Sequence, residues 1–218
     1  MNAGLKLRPG DRLLIATHNQ GKLDEFRELL APFDLDIVSA GEIGLDEPDE
    51  TGTTFVENAR IKAHAAATGS GLLSLADDSG LCVDALGGDP GVYTANWAGS
   101  ASNGGRDYMV GMRRVEDSLQ AAGASTPARR RGSFNATLCL AHPDGRDVIF
   151  EGKVEGTMVW PPRGKLGFGF DPAFMPDGYD LTFGEMPSAA KHSWAPGQIG
   201  LSHRARAFAK FVEATLEQ

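Results

Sequence analysis

Two adjacent carboxylates at the end of an apolar run are the residues of this sequence best suited to chemistry. Asp77 and Asp78 follow the apolar residues 72–76 and precede Ser79 and Gly80. Because adjacent carboxylates repel each other, the pair indicates a bound cation or a proton-transfer role. Side chains alternate across a strand, so we expect one of the two to face a site. An Asp-rich turn uses the same residue types, and the pair taken alone slightly favours such a turn.

A short polar loop, residues 17–22, lies between a predicted strand and a predicted helix. Backbone N–H groups at a helix N-terminus attract phosphate, and the loop adds the hydroxyl of Thr17, the amide of Asn19 and the charge of Lys22. The loop therefore predicts a phosphate-binding turn, although an ordinary turn with Lys22 in solvent fits equally well. It is not a Walker A motif, because Ala16 stands where that motif has its first glycine.

Three other segments carry polar or aromatic side chains that could bind a ligand. The acidic loop 46–50 could supply carboxylates to a hard cation such as Mg²⁺, or it could be a solvated charge run. Segment 167–172 offers a ring for base stacking and the acceptor Asp171, whereas core packing better explains an isolated phenylalanine. Residues 202–204, Ser-His-Arg, open a predicted helix with cations that the helix dipole disfavours, which favours a functional role.

The elements that must position these residues are predicted to alternate between strands and helices. The apolar run 12–17, an amphipathic segment from Leu23 to Phe33 and a strand at 36–38 predict a β-α-β unit. Periodicity and capping residues then predict a helix from Thr53 or Thr54 to about Thr68, strands at 72–76 and 81–83, a helix over 108–119, a β-hairpin around 143–145 and a last helix after Ser202. This order indicates an α/β fold with a parallel or mixed sheet.

The composition is that of an ordinary globular protein, and the 218 residues fit one α/β domain or two closely joined lobes. A net charge of −8 disfavours a binder of nucleic acid polymer, and we interpret the basic run 129–131 as a solvated linker turn. Residues 1–12 lack the apolar region of a secretory signal, and no apolar run approaches the roughly 20 residues that span a membrane. Cys82 and Cys139 fit free thiols in a reducing compartment, so we expect a cytoplasmic protein with no membrane partner.

Six segments in a fixed order resemble the inosine triphosphate pyrophosphatase family. They are THNQGK (17–22), ETGTTFVENA (50–59), ADDSGLCVDALGGDPGVYTA (76–95), GFGFDPAF (167–174), TFGEM (182–186) and SHR (202–204). The resemblance runs from Leu13 to about Phe211, and the segment 76–95 is its most specific part.

The resemblance implies an α/β fold of two lobes around a long curved mixed β-sheet flanked by helices, with the active site in the cleft between the lobes. Residues 1–218 would form a single two-lobed pyrophosphatase domain, with residues 1–11 as a loose N-terminal extension. It also implies a homodimer that requires Mg²⁺. Its reaction would be the hydrolysis of non-canonical purine nucleoside triphosphates (ITP, dITP and XTP) to the monophosphate and pyrophosphate, which cleans the nucleotide pool.

Carried over residue by residue, the resemblance implies that Asp78 accepts a proton from the attacking water and also binds the metal. Either Asp49 or Glu50 would be a second metal ligand. The implied substrate contacts fall into three groups: Thr17, His18, Asn19, Gln20, Gly21 and Lys22 on the triphosphate, with Lys62 a weaker candidate; Phe168, Gly169, Phe170 and Asp171 on the base and sugar; and Lys191, His203 and Arg204 at the purine edge. Ser79 is implied to contact the substrate as well. Phe168 is the expected stacking ring, and the donors of Lys191 and Arg204 suit a 6-oxo purine.

The sequence departs from the family pattern at two places. Phe170 stands where tyrosine is common, and residues 192–201 are longer than the spacer of many relatives, which leaves the placement of Lys191 open. Two further hypotheses also stay open. One is a pyrophosphatase for pyrimidine or modified nucleotides, and the other is a nucleotide sensor without catalysis. The combination of Asp78, the acidic loop and Lys22 disfavours the sensor, since a sensor needs no base.

Overall fold

A six-stranded mixed sheet forms the centre of the molecule. The structure is a computed structural model that describes residues 5–101, 105–195 and 198–216. The sheet strands are β1 (Arg12–Ile15), β2 (Asp36–Ser39), β3 (Leu73–Val83), β6 (Arg131–Ala141), β7 (Asp147–Met158) and β8 (Phe174–Pro176), in the order β2-β1-β3-β6-β7-β8. Strand β1 is parallel to β2 and β3, and the remaining pairs are antiparallel. Two short ladders complete the β structure: β4 (Gly99–Ser100) with β5 (Arg106–Asp107), and β9 (Trp194–Ala195) with β10 (Gln198–Ile199).

Within the described ranges, six helices connect and cover these strands. They are α1 (Gln20–Leu30), α2 (Phe55–Ser70), α3 (Thr94–Trp97), α4 (Tyr108–Ala121), α5 (Ser188–His192) and α6 (His203–Thr215). Side chains of the residue before each helix cap α1, α2, α4 and α6, through Asn19, Thr54, Asp107 and Ser202 respectively. The expected capping box is present at α2, where Thr54 and Glu57 exchange hydrogen bonds. Among the described residues, no helix has the length and apolar character to cross a membrane.

The long strands carry two packing regions, one toward each end. In the first region, helices cover both faces of the sheet. On one face α1 and α6 bury large side chains, including Phe26, Phe208 and Phe211. On the other face the apolar side chains that α2 contributes to the core are all alanines, and Lys62 of the same helix is buried beside them. Beyond the middle of β3 and β6, a second core surrounds α4 and contains Phe134, Phe174 and Phe183 among others. The strands β3, β6 and β7 run through both regions, which confirms the mixed sheet flanked by helices and leaves a cleft where the regions meet.

Four expectations about local structure are corrected: two concern β3 and the end of α2, and two concern the N-terminal residues and the basic run 129–131. The strands predicted at 72–76 and 81–83 are one strand, β3, in which Asp77 and Asp78 pair with Leu138 and Thr137 of β6. Helix α2 continues past Gly69 to Ser70, because Gly71, in the left-handed conformation at φ +72°, ends it.

Residues 5–11 are not a loose extension. Leu5 and Leu7 are buried in the core, and the Leu7 N–H donates to the Thr215 carbonyl at 2.8 Å. The basic run is not a solvated turn either, since Arg130 is buried against Glu116 and donates to the Met158 carbonyl at 2.9 Å. In both cases tertiary partners distant in sequence decide the outcome. Of the long segment 192–201, residues 196 and 197 lie outside the described part of the chain.

Candidate active site

A cavity of about 780 Å³ lies where the two packing regions meet, and it gathers most of the residues predicted to do chemistry. Its lining includes the predicted residues Thr17, His18, Asn19, Lys22, Glu50, Lys62, Asp78, Ser79, Phe168, Gly169, Phe170, Asp171, His203 and Arg204. The lining comes from the β1–α1 loop, the acidic loop, α2, the middle of β3, residues between 92 and 108, the loop before β8 and the start of α6, among others. The fold therefore brings together segments that are far apart in sequence.

Asp77 lies on the face of β3 that is covered by α1 and α6. Its carboxylate accepts from Lys22 Nζ at 2.6 Å, from Arg204 Nη2 at 3.3 Å and from the hydroxyl of Ser79 at 3.1 Å. Arg204 in turn donates from Nη1 to Glu25 Oε2 at 2.5 Å. Burial alone would raise the pKa of Asp77, but Arg204 and Lys22 hold it well below its ordinary value. This side of β3 is a closed network of paired charges.

Asp78 points to the opposite face of β3, toward α2. Lys62 Nζ donates to its Oδ1 at 3.1 Å, while its Oδ2 is buried and has no hydrogen-bond partner among the described residues. Burial raises the pKa of Asp78 above its ordinary value, although Lys62 opposes the shift. A buried carboxylate oxygen without a partner is costly, so this atom is suited to a water, a cation or a proton.

Glu50 stands on the far side of Lys62 from Asp78. Lys62 Nζ donates to Glu50 Oε1 at 2.5 Å, so one ammonium bridges the two carboxylates. Asp49 is exposed and outside the described lining of the cavity. Of the two candidates in the acidic loop, the geometry thus places Glu50 next to Asp78.

The carboxylates fit a hard cation that draws other ligands from a substrate. Mg²⁺ is held in proteins by one or two carboxylates together with phosphate oxygens and water, and Asp78 with Glu50 is such a pair. Within the described ranges no cluster of three or more His, Cys, Asp or Glu side chains could hold a metal alone. The unpartnered Oδ2 of Asp78 is the atom that a cation would satisfy first.

The predicted phosphate-binding turn is formed as the helix start of α1. Asn19 caps the helix through an Oδ1 that accepts from the Lys22 N–H at 3.1 Å, and Lys22 extends toward Asp77. Gln20 is exposed and donates to Asp24. Neither Gln20 nor Gly21 is among the described lining residues. His18 does line the cavity, but its Nε2 contacts the Leu45 carbonyl at 2.8 Å.

An aromatic pocket occupies the other end of the cavity. His203 stacks on Phe134 with ring centroids 5.1 Å apart and an interplanar angle of 16°. Burial lowers the pKa of His203 to about 3, so its ring is neutral, and its Nδ1 has no partner in the described part of the chain. Phe168 is 48% exposed at the cavity, whereas Phe170 is buried edge-on against Tyr108. Phe168 is thus available for stacking, and Phe170 is mainly a packing residue.

Lys191, which the resemblance predicts at the purine edge, is paired with other residues of this chain. It is buried, it is not among the described lining residues, and its Nζ donates to Asp171 Oδ2 at 2.9 Å and to the Phe183 carbonyl at 3.0 Å. A Cβ at Gly167, where φ is +80°, would lie 2.0 Å from Asp171 Oδ2, so only glycine allows this pairing. In this arrangement Lys191 holds the loop 167–171.

Several lining or supporting residues had not been singled out from the sequence. They are Glu25, Tyr108, Arg106, Phe134, Phe183 and His192. Arg106 differs from the other cations of the cavity because its guanidinium has no carboxylate or carbonyl partner in the described ranges. The described lining holds five carboxylates against four Lys and Arg side chains, so the cavity needs added positive charge before a polyanion enters.

Fold and cavity define an α/β protein whose cleft suits a ligand with a planar ring and an anionic tail. The sequence model of the Ham1 family matches residues 13–214. A dITP/XTP pyrophosphatase of Mesorhizobium japonicum is 57% identical over 209 residues, which are 95% of this chain and 94% of that protein. One of Brucella melitensis is 57% identical over 206 residues, or 94% of this chain and 93% of that protein.

Solved structures agree with the sequence comparisons. The HAM1 protein from Coxiella burnetii superposes with a TM-score of 0.79 at 33% identity, covering 93% of this chain and 97% of that chain. A nucleoside-triphosphatase (dITP/XTP pyrophosphatase) from Mycobacterium abscessus gives a TM-score of 0.71 at 33% identity, covering 92% and 98%. The chain belongs to the Ham1 family, and the resemblance drawn from its six segments is confirmed.

Proposed function

We propose that this chain is a nucleoside triphosphate pyrophosphatase that hydrolyses ITP, dITP and XTP to the nucleoside monophosphate and pyrophosphate. One observation carries the proposal: Asp78 has a raised pKa and an unpartnered buried Oδ2 in a cavity that also holds a helix-start lysine and an exposed phenylalanine. The two bacterial relatives at 57% identity, both dITP/XTP pyrophosphatases, support the same activity.

In the proposed reaction, one water is consumed and the anhydride bond between the α- and β-phosphates breaks. The water oxygen bonds to phosphorus, its proton passes to Asp78, and pyrophosphate leaves with the electron pair of the broken bond. A carboxylate with a raised pKa is better matched to this proton transfer than an ordinary aspartate is. Asp77, whose pKa is lowered by Arg204 and Lys22, is unsuited to the same task.

Mg²⁺ is the proposed cofactor, held by Asp78 and Glu50 together with substrate phosphates. When bound it would offset triphosphate charge and lower the pKa of a bound water. The excess of carboxylates over cations in the cavity supports this requirement. Lys62, which now bridges the two carboxylates, would be free to contact phosphate once a cation takes its place.

The remaining residues divide between the phosphates and the base. Lys22 and Arg106 bind the triphosphate, and Phe168 stacks on the purine. At the purine edge, His203 has an unpartnered Nδ1, and Arg204 lies beside it. A 6-oxo purine offers an acceptor there, whereas adenine offers an amino donor, and a buried mismatch of this kind costs about 1–3 kcal/mol.

We also propose that the chain acts as a cytoplasmic homodimer on free nucleotides and that residues 1–218 form one two-lobed domain. The family resemblance supports the dimer. The net charge of −8 supports a small-molecule substrate over a nucleic acid polymer.

The test is pyrophosphate release from ITP, dITP, XTP, ATP, GTP and dTTP, measured with Mg²⁺ and with EDTA. We expect Mg²⁺-dependent release from the first three only. Release from all six would retain the chemistry and refute the purine specificity. Binding without release from any would support a nucleotide sensor instead.

A further inference from the structure

The imidazole of His18 faces the acidic loop and not the helix start of α1. Its Nε2 lies 2.8 Å from the Leu45 carbonyl oxygen, and its Nδ1 lies 4.0 Å from Glu47 Oε2. A carbonyl only accepts hydrogen bonds, so Nε2 must carry the proton and donate. With both ring nitrogens directed at residues 45–47, the ring is committed to this loop, although His18 belongs to the segment predicted to bind phosphate.

Apart from the His18 contacts, few contacts among the described residues hold the acidic loop where it faces α2. A second cavity, of about 210 Å³, lies behind it and is lined by His18, Leu45, Glu47, Lys62 and Ala66, among others. The loop is therefore not packed tightly against α2. Its near end is fixed by the Leu45 N–H, which donates to the Ala40 carbonyl at 3.0 Å, and by the His18 bond. Its far end is fixed by the Gly52 N–H, which donates to Asn58 Oδ1 at 2.8 Å.

The same loop carries the carboxylate that stands next to Asp78. Glu50 reaches Lys62 from the loop, and Lys62 reaches Asp78 from the other side. His18 also lines the main cavity together with its neighbours Thr17 and Asn19. One side chain thus links the β1–α1 turn to the loop whose position decides where Glu50 stands.

We infer that His18 is a positioning residue that ties the acidic loop to the β1–α1 turn, and so holds Glu50 beside Asp78 for the cation. This inference rests on the proposed function, because it assigns His18 a task in that site. A substitution distinguishes this positioning role from direct binding of the triphosphate by His18. In the positioning role, loss of the ring weakens cation binding and leaves metal-free nucleotide binding unchanged.

The test uses the full chain and the variants His18→Ala and His18→Gln, with His142→Ala as the matched control. His142 has a similar exposure, 37% against 31%, and also faces a carboxylate, but it lies in the β6–β7 turn. Mn²⁺ affinity is measured by electron paramagnetic resonance in the presence of an ITP analogue with a methylene group between the α- and β-phosphorus atoms. The affinity of that analogue is measured separately in EDTA.

We expect His18→Ala to weaken Mn²⁺ binding roughly tenfold, the usual effect of losing a residue that orients a metal ligand. His18→Gln should restore most of this affinity, because its amide can donate to the Leu45 carbonyl. His142→Ala should bind Mn²⁺ as the unsubstituted protein does, and circular dichroism checks that each variant is folded.

Two outcomes would overturn the inference: unchanged Mn²⁺ affinity in His18→Ala, or weaker analogue binding in EDTA, which would make His18 a phosphate ligand. Failure of the proposed function has a different readout. It would appear as no pyrophosphate release by the unsubstituted protein, whatever the variants do.

Discussion

Asp77 and Asp78 are neighbours on β3, yet their carboxylates lie in opposite electrostatic environments. On the Asp77 side, Lys22 and Arg204 pair with the carboxylate and Ser79 donates to it, and the pKa is lowered. On the Asp78 side, one oxygen is buried without a partner among the described residues, and burial raises the pKa. The difference arises because strand side chains alternate, so each carboxylate meets a different layer of helices.

The comparison distinguishes a carboxylate that stabilises the fold from an adjacent carboxylate that is available for a reaction. A closed network such as Asp77 with Arg204 and Glu25 stabilises one arrangement and leaves little capacity for a reaction. A partly satisfied group such as Asp78 with Lys62 and Glu50 is destabilised until a ligand completes it. Functional sites commonly retain such locally unfavourable groups.

The largest effect should come from Asp78→Asn. Loss of the proton acceptor should lower kcat for ITP by about 10²- to 10⁴-fold, the usual contribution of a general base. The free energy of unfolding should change by no more than about 1 kcal/mol, because the substitution removes a buried charge that lacks a full set of partners. Steady-state pyrophosphate release and urea unfolding measure the two quantities, and near-normal turnover would remove Asp78 from the base role.

Asp77→Asn should show the reverse pattern, with stability as the main loss. Arg204 is fully buried, and without the Asp77 charge Glu25 is the one ionic partner that remains to it among the described residues. Breaking a buried ion pair costs about 3–5 kcal/mol, which urea unfolding would detect. Asp144→Asn, which breaks an exposed pair with Arg146, serves as the control and should cost less than about 1 kcal/mol. Equal losses in the two variants would contradict the structural role of Asp77.

Much of the fold and of the candidate site could be predicted from the sequence. The features that could not be predicted have physical causes. Capping residues and apolar periodicity identified α1, α2, α4 and α6, because those signals are local. Residue types alone pointed to Lys22 and to the Asp77–Asp78 pair. The resemblance then selected Asp78 and left Asp49 and Glu50 as alternatives. In the structure Asp78, Glu50 and Lys22 line one cavity. The continuity of β3 was missed, because four polar or small residues interrupt its apolar pattern and their partners come from distant helices.

Glu25 and Lys191 show where local reasoning ends. Glu25 is one of several charged residues on α1, and only the packing of α6, 179 positions away, makes it the partner of Arg204. Lys191 was expected at the purine edge, but its ammonium is paired with Asp171 and the Phe183 carbonyl. In both cases the sequence contains the residue types, while the pairing is fixed by tertiary contacts between segments.

As pH falls, the buried His203 should reduce the stability of the folded chain before the buried Glu25 does. Burial holds the pKa of His203 at about 3 in the folded chain, against 6.5 as its ordinary value. Between these values the unfolded chain binds the extra proton, so stability falls as pH falls from about 6.5. The pKa of Glu25 is lowered from 4.5 to about 2, so its contribution is lost only below about pH 4.5.

The window between pH 6.5 and 4.5 lies above the range in which the Glu25 contribution is lost, and the raised pKa of Asp78 acts there in the opposite direction, so the effect of His203 is isolated by comparing a variant with the unsubstituted protein. His203→Phe retains a ring against Phe134 and should flatten the decline of Tm with decreasing pH in this window. One proton corresponds to about 1.4 kcal/mol per pH unit, which differential scanning calorimetry resolves. An unchanged slope in His203→Phe would assign the acid sensitivity to another group.

Arg106 belongs to neither side of β3, and its substitution should give the smallest effect. It is exposed, it lines the cavity, and within the described ranges it has no ionic partner, so no internal pair is broken when it is removed. An exposed charge contact contributes up to about 1 kcal/mol, so Arg106→Gln should raise KM for ITP about fivefold and leave kcat and Tm nearly unchanged. Because salt screens such a contact, the difference from the unsubstituted protein should shrink as ionic strength rises. Arg113→Gln, on the outer surface of α4, is the control for general charge loss. If both variants raise KM equally, Arg106 acts only through net charge, and substrate phosphate is held by the two sides of β3 alone.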